Sequence, residues 1–390
     1  MKFLKYLIIV LCAVQITGCQ NKEVPSDLQT QLDSISSAMV PQHAEALCDL
    51  TLVKNRGKNL TVKGETNLPE AKEKVIELLN RSGYIINDSI TVLPDTTVVK
   101  KPWGLVSVSV CNIRTRPAHK AEMATQALMG TPVKILNKWE DWLLVQTPDS
   151  YLGWTDDPVE ELSDIELENW KKSDRLFYLK NTGVIYDSHD KVVSDIVFGV
   201  ILQKIAEQGN IYRVRLPDGR EGQIKKADAV DFKSWAMNVQ PDAGKMTEFA
   251  RTFLGTPYLW GGTSTKSVDC SGFTKTIYYS AGVILARDAD SQYRYGTEIS
   301  IEQGCDSLAP GDLLYFGRDR DGIMSITHTG MYIGDTEFIH SSRLVRINSF
   351  DSTRANYSKY LLGILQGARR ITGISPGKGF EHISQHSWYF

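Results

Sequence analysis

The four residues Asp269-Cys270-Ser271-Gly272, followed at a distance by His328 and His340, carry most of the chemical information in this 390-residue chain. A thiol nucleophile needs a base to take its proton and a further polar group to hold that base's ring. From Cys270 onward the chain reads as a helix, with Phe273, Ile277 and Ala281 forming an apolar stripe at helical spacing. Asp269 is a candidate N-cap. Cys270 then falls in the first turn, where unpaired N–H groups and the helix dipole favour a thiolate. Gly255 to Gly262 is a turn-rich loop leading into this point.

The base is placed by a predicted β-hairpin: Ser325 to Ile333, a Gly334-Asp335-Thr336 turn, then Glu337 to Ser341. A three-residue loop pairs Ile333 with Glu337 and sets Ser342 opposite His328. His340 is then diagonal to His328 on the same face, within reach of its ring. A two- or four-residue loop instead sends the two histidines to opposite faces. Taken alone, a cysteine at a helix start is usually an inert packing residue. The ordered combination with two histidines is what points to a nucleophile, a base and its orienter.

Residues 247–371 resemble the NlpC-type family of papain-like cell-wall cysteine peptidases. The resemblance rests on Tyr258-Leu259-Trp260-Gly261-Gly262, Asp269 to Gly272, Arg287-Asp288 with Gln292, Pro310-Gly311-Asp312-Leu313, and the His328 and His340 strands. It implies a Cys270/His328/His340 triad in which His340 orients His328, and a Tyr258 hydroxyl near the thiol that helps hold substrate. Val268 stands where the family usually has an aromatic, and Thr329 where it usually has Val.

An apolar fraction of 42% and an aromatic fraction of 9% suit globular domains with real cores. The formal net charge of −2, without a basic tract, argues against nucleic acid as a partner. Lys2 and Lys5, an apolar run from Tyr6 to Val14, and Ile16-Thr17-Gly18-Cys19 read as a signal peptide over residues 1–18. The last four resemble a bacterial lipobox, implying that Cys19 is lipidated and anchors the protein to a membrane. The expected location is the cell envelope, on the periplasmic face of the outer membrane. Residues 19–37 are polar and read as a tether. Of six cysteines, Cys48, Cys111 and Cys305 remain without an assigned role; a Cys48–Cys111 disulfide is allowed in this compartment but not indicated. No spacing suggests a metal site, and no cofactor is implied.

The expected fold class is α+β. Residues 38–100 read as a small α/β module, with strands at Leu60–Gly64 and Ile85–Leu93 around a helix from Pro69 to Ser82. A weak internal repeat follows. Val145 to Trp154 aligns with Val214 to Gln223, and Pro-Asp turns between short alternating strands predict two small β-barrels at 103–160 and 173–233. Both resemble bacterial SH3-like domains, with a helical connector from Asp164 to Arg175. A papain-like peptidase domain occupies 240–372, and the tail 373–390 is given no role.

This domain order resembles the γ-D-glutamyl-L-diamino acid endopeptidases, which act on peptidoglycan-derived peptides with a free N-terminal L-Ala. The resemblance implies a substrate pocket built from Asp269, Ser271 and Asp288, with Glu122 and Tyr151 supplied by the first SH3-like domain. A carboxylate suits that position because a buried ammonium needs an anionic partner. Ala289 stands where relatives often have Ser. The expected protein is a monomer that cleaves between γ-D-Glu and Lys or diaminopimelate in muropeptide recycling. The alternatives are a hydrolase of intact wall and a catalytically inert wall-binding lipoprotein.

Overall fold

The computed structural model describes residues 24, 26–40, 45–302, 304–320, 322–371 and 379–390. Residues 1–23, which hold the predicted signal peptide and Cys19, lie outside the described residues. The chain divides into two compact units, one of Met1–Met39 with Cys48–Thr91, the other of Val40–Leu47 with Val92–Phe390.

The first unit is a three-stranded sheet, Cys48–Lys54, Asn59–Thr66 and Ile85–Val92, with helices Ser26–Met39 and Pro69–Asn80. The second helix starts on Pro69 and buries Ala71, Val75 and Leu79. The first helix corrects the reading of residues 19–37 as a tether, because Leu28 and Leu32 pack into the core of this unit with Ile35 beside them. Three apolar residues at helical spacing suffice for a narrow stripe, even in a stretch otherwise rich in Ser, Asp and Gln.

In the second unit, two seven-stranded sheets repeat one plan. Numbered within each sheet along the chain, the strands of both lie in the order seventh, first, fourth, fifth, sixth, second, third. The matching Pro-Asp turns close alike. Thr147 N–H donates to Tyr151 O and Leu216 N–H to Arg220 O, with Ser150 and Gly219 both in the left-handed region. Helix Asp164–Lys172 joins the sheets and begins with a capping box formed by Ser163 and Glu166.

The part that holds Cys270 is built on a six-stranded antiparallel sheet in the order Thr297–Ile299, Leu365–Arg370, Leu313–Arg320, Ile323–Gly334, Glu337–Ser342 and Leu344–Ser349. Helix Cys270–Ser280 covers it, burying Phe273, Ile277 and Ala281 among Leu313, Tyr315, Met331 and Ile339.

The end of the chain, for which the sequence offered no role, is integral. Phe380–His382 pairs antiparallel with Val283–Leu285, and Tyr389 is buried among Phe232, Ile284 and Ile383. Arg175 Nη2 donates to Tyr389 O at 2.9 Å. Tyr389→Ala should therefore cost about 3 kcal/mol, as large aromatic truncations in cores do. A urea titration with secondary structure unchanged would measure it; a loss under about 1 kcal/mol would mean the tail merely rests on the surface.

Candidate active site

Asp269 caps the helix: its Oδ1 accepts from Gly272 N–H at 2.7 Å. Gly272 is required by space as well, since an added Cβ would lie 1.9 Å from the carbonyl oxygen of Gly262. This close approach couples the glycine-rich loop to the helix start and fixes where Cys270 points. Burial is the main influence on the Cys270 thiol and, aided by the Asp269 carboxylate, pushes it up to about 11. Backbone N–H groups of Thr329 and Ser271, and the Arg287 guanidinium, work the other way. The helix start thus acts in the expected direction, through Ser271 N–H, and burial outweighs it. The contact with Thr329 N–H sets the sulfur beside the residue that follows His328.

The hairpin reaches the expected alignment by an unexpected route. The loop has two residues, Asp335 and Thr336, both at positive φ, and pairs Gly334 with Glu337. A bulge at Ile333 then shifts the register by one, so that Tyr332 pairs with Phe338 and Met331 with Ile339. Gly330 faces His340, where an added Cβ would approach His340 Cβ to 2.8 Å. His328, two residues further along that face, lies diagonal to His340. The rings meet edge to face at 5.0 Å, and His328 Nε2 and His340 Nδ1 share a hydrogen bond of 2.7 Å. Burial is the first cause in lowering both imidazoles, His328 to about 3 and His340 to about 4. Thr329, unusual at its position, satisfies its buried hydroxyl by donating to Leu314 O.

A cavity of about 440 Å³ opens beside Cys270. Tyr258, Asp269, Ser271 and Asp288 line it from the catalytic part, and Glu122 and Tyr151 from the first seven-stranded sheet. All six residues expected around the substrate therefore share one space with the thiol. Their polar atoms differ in availability. Both Asp269 oxygens are engaged, by Gly261 N–H, Gly272 N–H and the Arg287 guanidinium, and Ser271 Oγ is tied to the same pair. Tyr151 Oη donates to Asp288 Oδ2 at 3.0 Å. Burial raises Asp288 above the ordinary carboxylate range, against the pull of Arg287; the Asp290 and Asp269 carboxylates add to the rise. Burial likewise raises the Tyr258 and Tyr151 hydroxyls, which stay protonated.

Three contributors were not assigned a role from the sequence. Arg287, 2% exposed, also donates from Nε to Thr125 of the first sheet, and so joins that sheet to the helix cap. Asn348 Oδ1 lies 2.9 Å from His340 Nε2. Glu45, read as part of the N-terminal module, accepts from Ser291 Oγ one residue beyond Asp290. Only the first gave a signal, as half of the Arg-Asp pair.

Residues 255–366 match the NlpC/P60 family, and residues 113–157 match the bacterial dipeptidyl-peptidase SH3 domain. A gamma-D-glutamyl-L-lysine dipeptidyl-peptidase of Bacillus cereus is 35% identical over 243 residues, spanning 59% of this chain and 69% of that protein. Its namesake from Bacillus subtilis is 28% identical over 255 residues, 62% of this chain and 79% of the relative. A crystal structure of an NlpC/P60 family protein from Bacillus cereus superimposes with a TM-score of 0.60 at 27% identity, covering 69% of this chain and 99% of that one. The chain belongs to the NlpC/P60 family and is a cysteine peptidase.

The lowered imidazoles give a test in stability. Between about pH 6.5 and 4 the unfolded chain binds protons at His328 and His340 that the folded chain refuses, so stability falls as pH falls. The raised Asp288 works in the opposite sense. Unfolding free energies from urea titrations should drop on acidification by up to about 1.4 kcal/mol per pH unit for each histidine. The His328→Gln/His340→Asn double variant should lose less over the same interval; parallel curves would show that these rings do not govern the acid limb.

Proposed function

We propose that this peptidase hydrolyses peptidoglycan-derived peptides with a free N-terminal L-Ala, cutting between γ-D-Glu and the diamino acid that follows. Cys270 attacks the γ-carbonyl, His328 takes the thiol proton and returns it to the leaving amine, and His340 holds the His328 ring. The observation carrying this reading is the cavity that joins Cys270 to Glu122, Tyr151 and Asp288. Asp288 is a half-buried carboxylate whose acidity is weakened by desolvation and by neighbouring acids. An ammonium group placed there supplies the missing positive charge. Glu122 adds a second anion, and Tyr151 and Tyr258 flank the amine. The names of the Bacillus relatives, which specify a γ-D-glutamyl-L-lysine bond, favour the same substrate. Action on released peptides fits a muropeptide-recycling role, because in intact wall the L-Ala nitrogen is an amide.

Digestion of L-Ala-γ-D-Glu-L-Lys beside its N-acetylated form tests the reading, with Cys270→Ala as the inactive reference. Acetylation should lower kcat/KM roughly a hundredfold or more, since it removes a charge that the site's carboxylates expect. Glu122→Ala should weaken the free-amine peptide far more than the blocked one. Equal cleavage of both peptides, or rapid clearing of intact wall, would make this a hydrolase of intact wall instead.

The same proposal includes a lipid anchor at Cys19, motivated by Ile16-Thr17-Gly18-Cys19, which holds the enzyme in the cell envelope on the periplasmic face of the outer membrane. Mass spectrometry of the membrane fraction should find a mature chain beginning at acylated Cys19. A soluble protein with an unmodified Cys19 would refute the anchor.

A further inference from the structure

Beyond His340 the hydrogen-bond chain continues, and its far end has only one possible polarity. Asn348 Nδ2 lies 2.8 Å from the backbone carbonyl oxygen of Asn356. A carbonyl can only accept, so this amide nitrogen is the donor and Oδ1 is the atom turned to His340. Asn356 cannot easily shift, because the same carbonyl accepts from Ser349 N–H at 3.0 Å and its side chain donates to Glu337 Oε1 at 2.9 Å. Asn348 Oδ1 is an acceptor, so the neutral His340 ring must carry its proton on Nε2 to make the 2.9 Å contact. His340 Nδ1 then has a lone pair, and the 2.7 Å contact requires His328 to donate from Nε2. A neutral imidazole has one proton. His328 Nδ1 is thereby left bare.

We infer that Asn348 is a positioning residue that sets the tautomer of His328 through His340, leaving His328 Nδ1 as the proton acceptor for the Cys270 thiol. Without an acceptor at this position, His340 is free to take the other tautomer and donate from Nδ1 to His328 Nε2. His328 would then hold its proton on Nδ1, and no base would face the thiol. Burial lowers the basicity of both imidazoles, which supports a neutral resting pair, the state in which tautomer choice matters. The inference rests on His328 acting as the base, as proposed above.

Two substitutions separate this role from a structural one. Asn348→Leu removes both the acceptor and the donor, whereas Asn348→Asp keeps an acceptor for His340 and loses only the donor to Asn356. The chain has seven histidines, so ¹⁵N-histidine spectra of the whole protein, recorded in mildly alkaline buffer and assigned with His328→Ala, can report the tautomer directly. Asn348→Leu should move the pyrrole-type signal of His328 from Nε2 to Nδ1. It should lower kcat by at least about thirtyfold, short of the ~10⁴-fold that a wrong tautomer costs in a serine triad, with KM changed less than about twofold. Asn348→Asp should keep the native tautomer and lose clearly less kcat than Asn348→Leu. Equal losses in the two variants would assign the effect to the Asn356 bond and overturn the inference. An unchanged tautomer and kcat in Asn348→Leu, with His328→Ala inactive, would overturn it while leaving the triad standing. An active His328→Ala would overturn both.

Discussion

The site is organised around one buried ion pair. Arg287 and Asp269 meet through both guanidinium Nη atoms and both carboxylate oxygens, with the arginine 2% and the aspartate 6% exposed. Burying two charges is expensive, and such a pair persists only when its remaining donors and acceptors are satisfied. Here Thr125 and Ser271 take two further guanidinium bonds, and the N–H groups of Gly261 and Gly272 complete the carboxylate. Those four partners belong to three parts of the site. Thr125 lies on the first seven-stranded sheet, Gly261 in the loop beside Tyr258, and Ser271 and Gly272 in the first turn after Cys270. The Cys270 turn, the loop and the neighbouring sheet thus share one electrostatic centre, and none can move far without exposing a charge in a dry place.

The cavity follows from this anchoring. The first sheet is held so that Tyr151 reaches Asp288 and Glu122 faces the space beside the thiol. Thr263 strengthens the same seam, donating from Oγ1 to Gln126 O at 2.9 Å and from its own N–H to Gln126 Oε1 at 3.0 Å. Burial acts in the opposite sense on the groups without such partners: it pushes the Cys270 thiol up to about 11 and lowers the two imidazoles to about 3 and 4, which favours the neutral form of each.

Local features were legible in the sequence, and so were the ordered motifs. Asp269 as a cap, the apolar stripe behind Cys270 and the Pro69 helix start all follow from interactions within a few residues. Hairpin arithmetic was legible only in part. The two-residue Asp335-Thr336 loop, counted alone, separates the histidines, and the Gly334 that flanks the reuniting bulge at Ile333 reads equally well as part of the turn. What stayed hidden depends on partners far away in the chain, as with the Leu28/Leu32 helix that replaces most of the supposed tether and the pairing of Phe380–His382 with Val283–Leu285, or on the register of neighbouring strands, as with the reach of Asn348 to His340 across eight residues. Polar composition says little about a helix whose apolar side is two leucines wide.

The two seven-stranded sheets share a strand order, a Pro-Asp turn and a glycine in the following strand, where Gly153 leaves room for Ile113 as Gly222 does for Ile185. They differ at the first residue after the turn. In the first sheet it is Tyr151, whose hydroxyl is given to Asp288; in the second it is Arg220, which turns back to Asp218 and to the carbonyl of Val193. One structural plan, present twice, therefore carries two kinds of load. The first copy lends a hydroxyl to the wall of the cavity beside Cys270. The second is a buttress: Phe198 packs on Phe249, Tyr279 Oη donates to Gly199 O, and Lys266 pairs with Asp195, so its substitutions reach the peptidase part through packing rather than through the cavity.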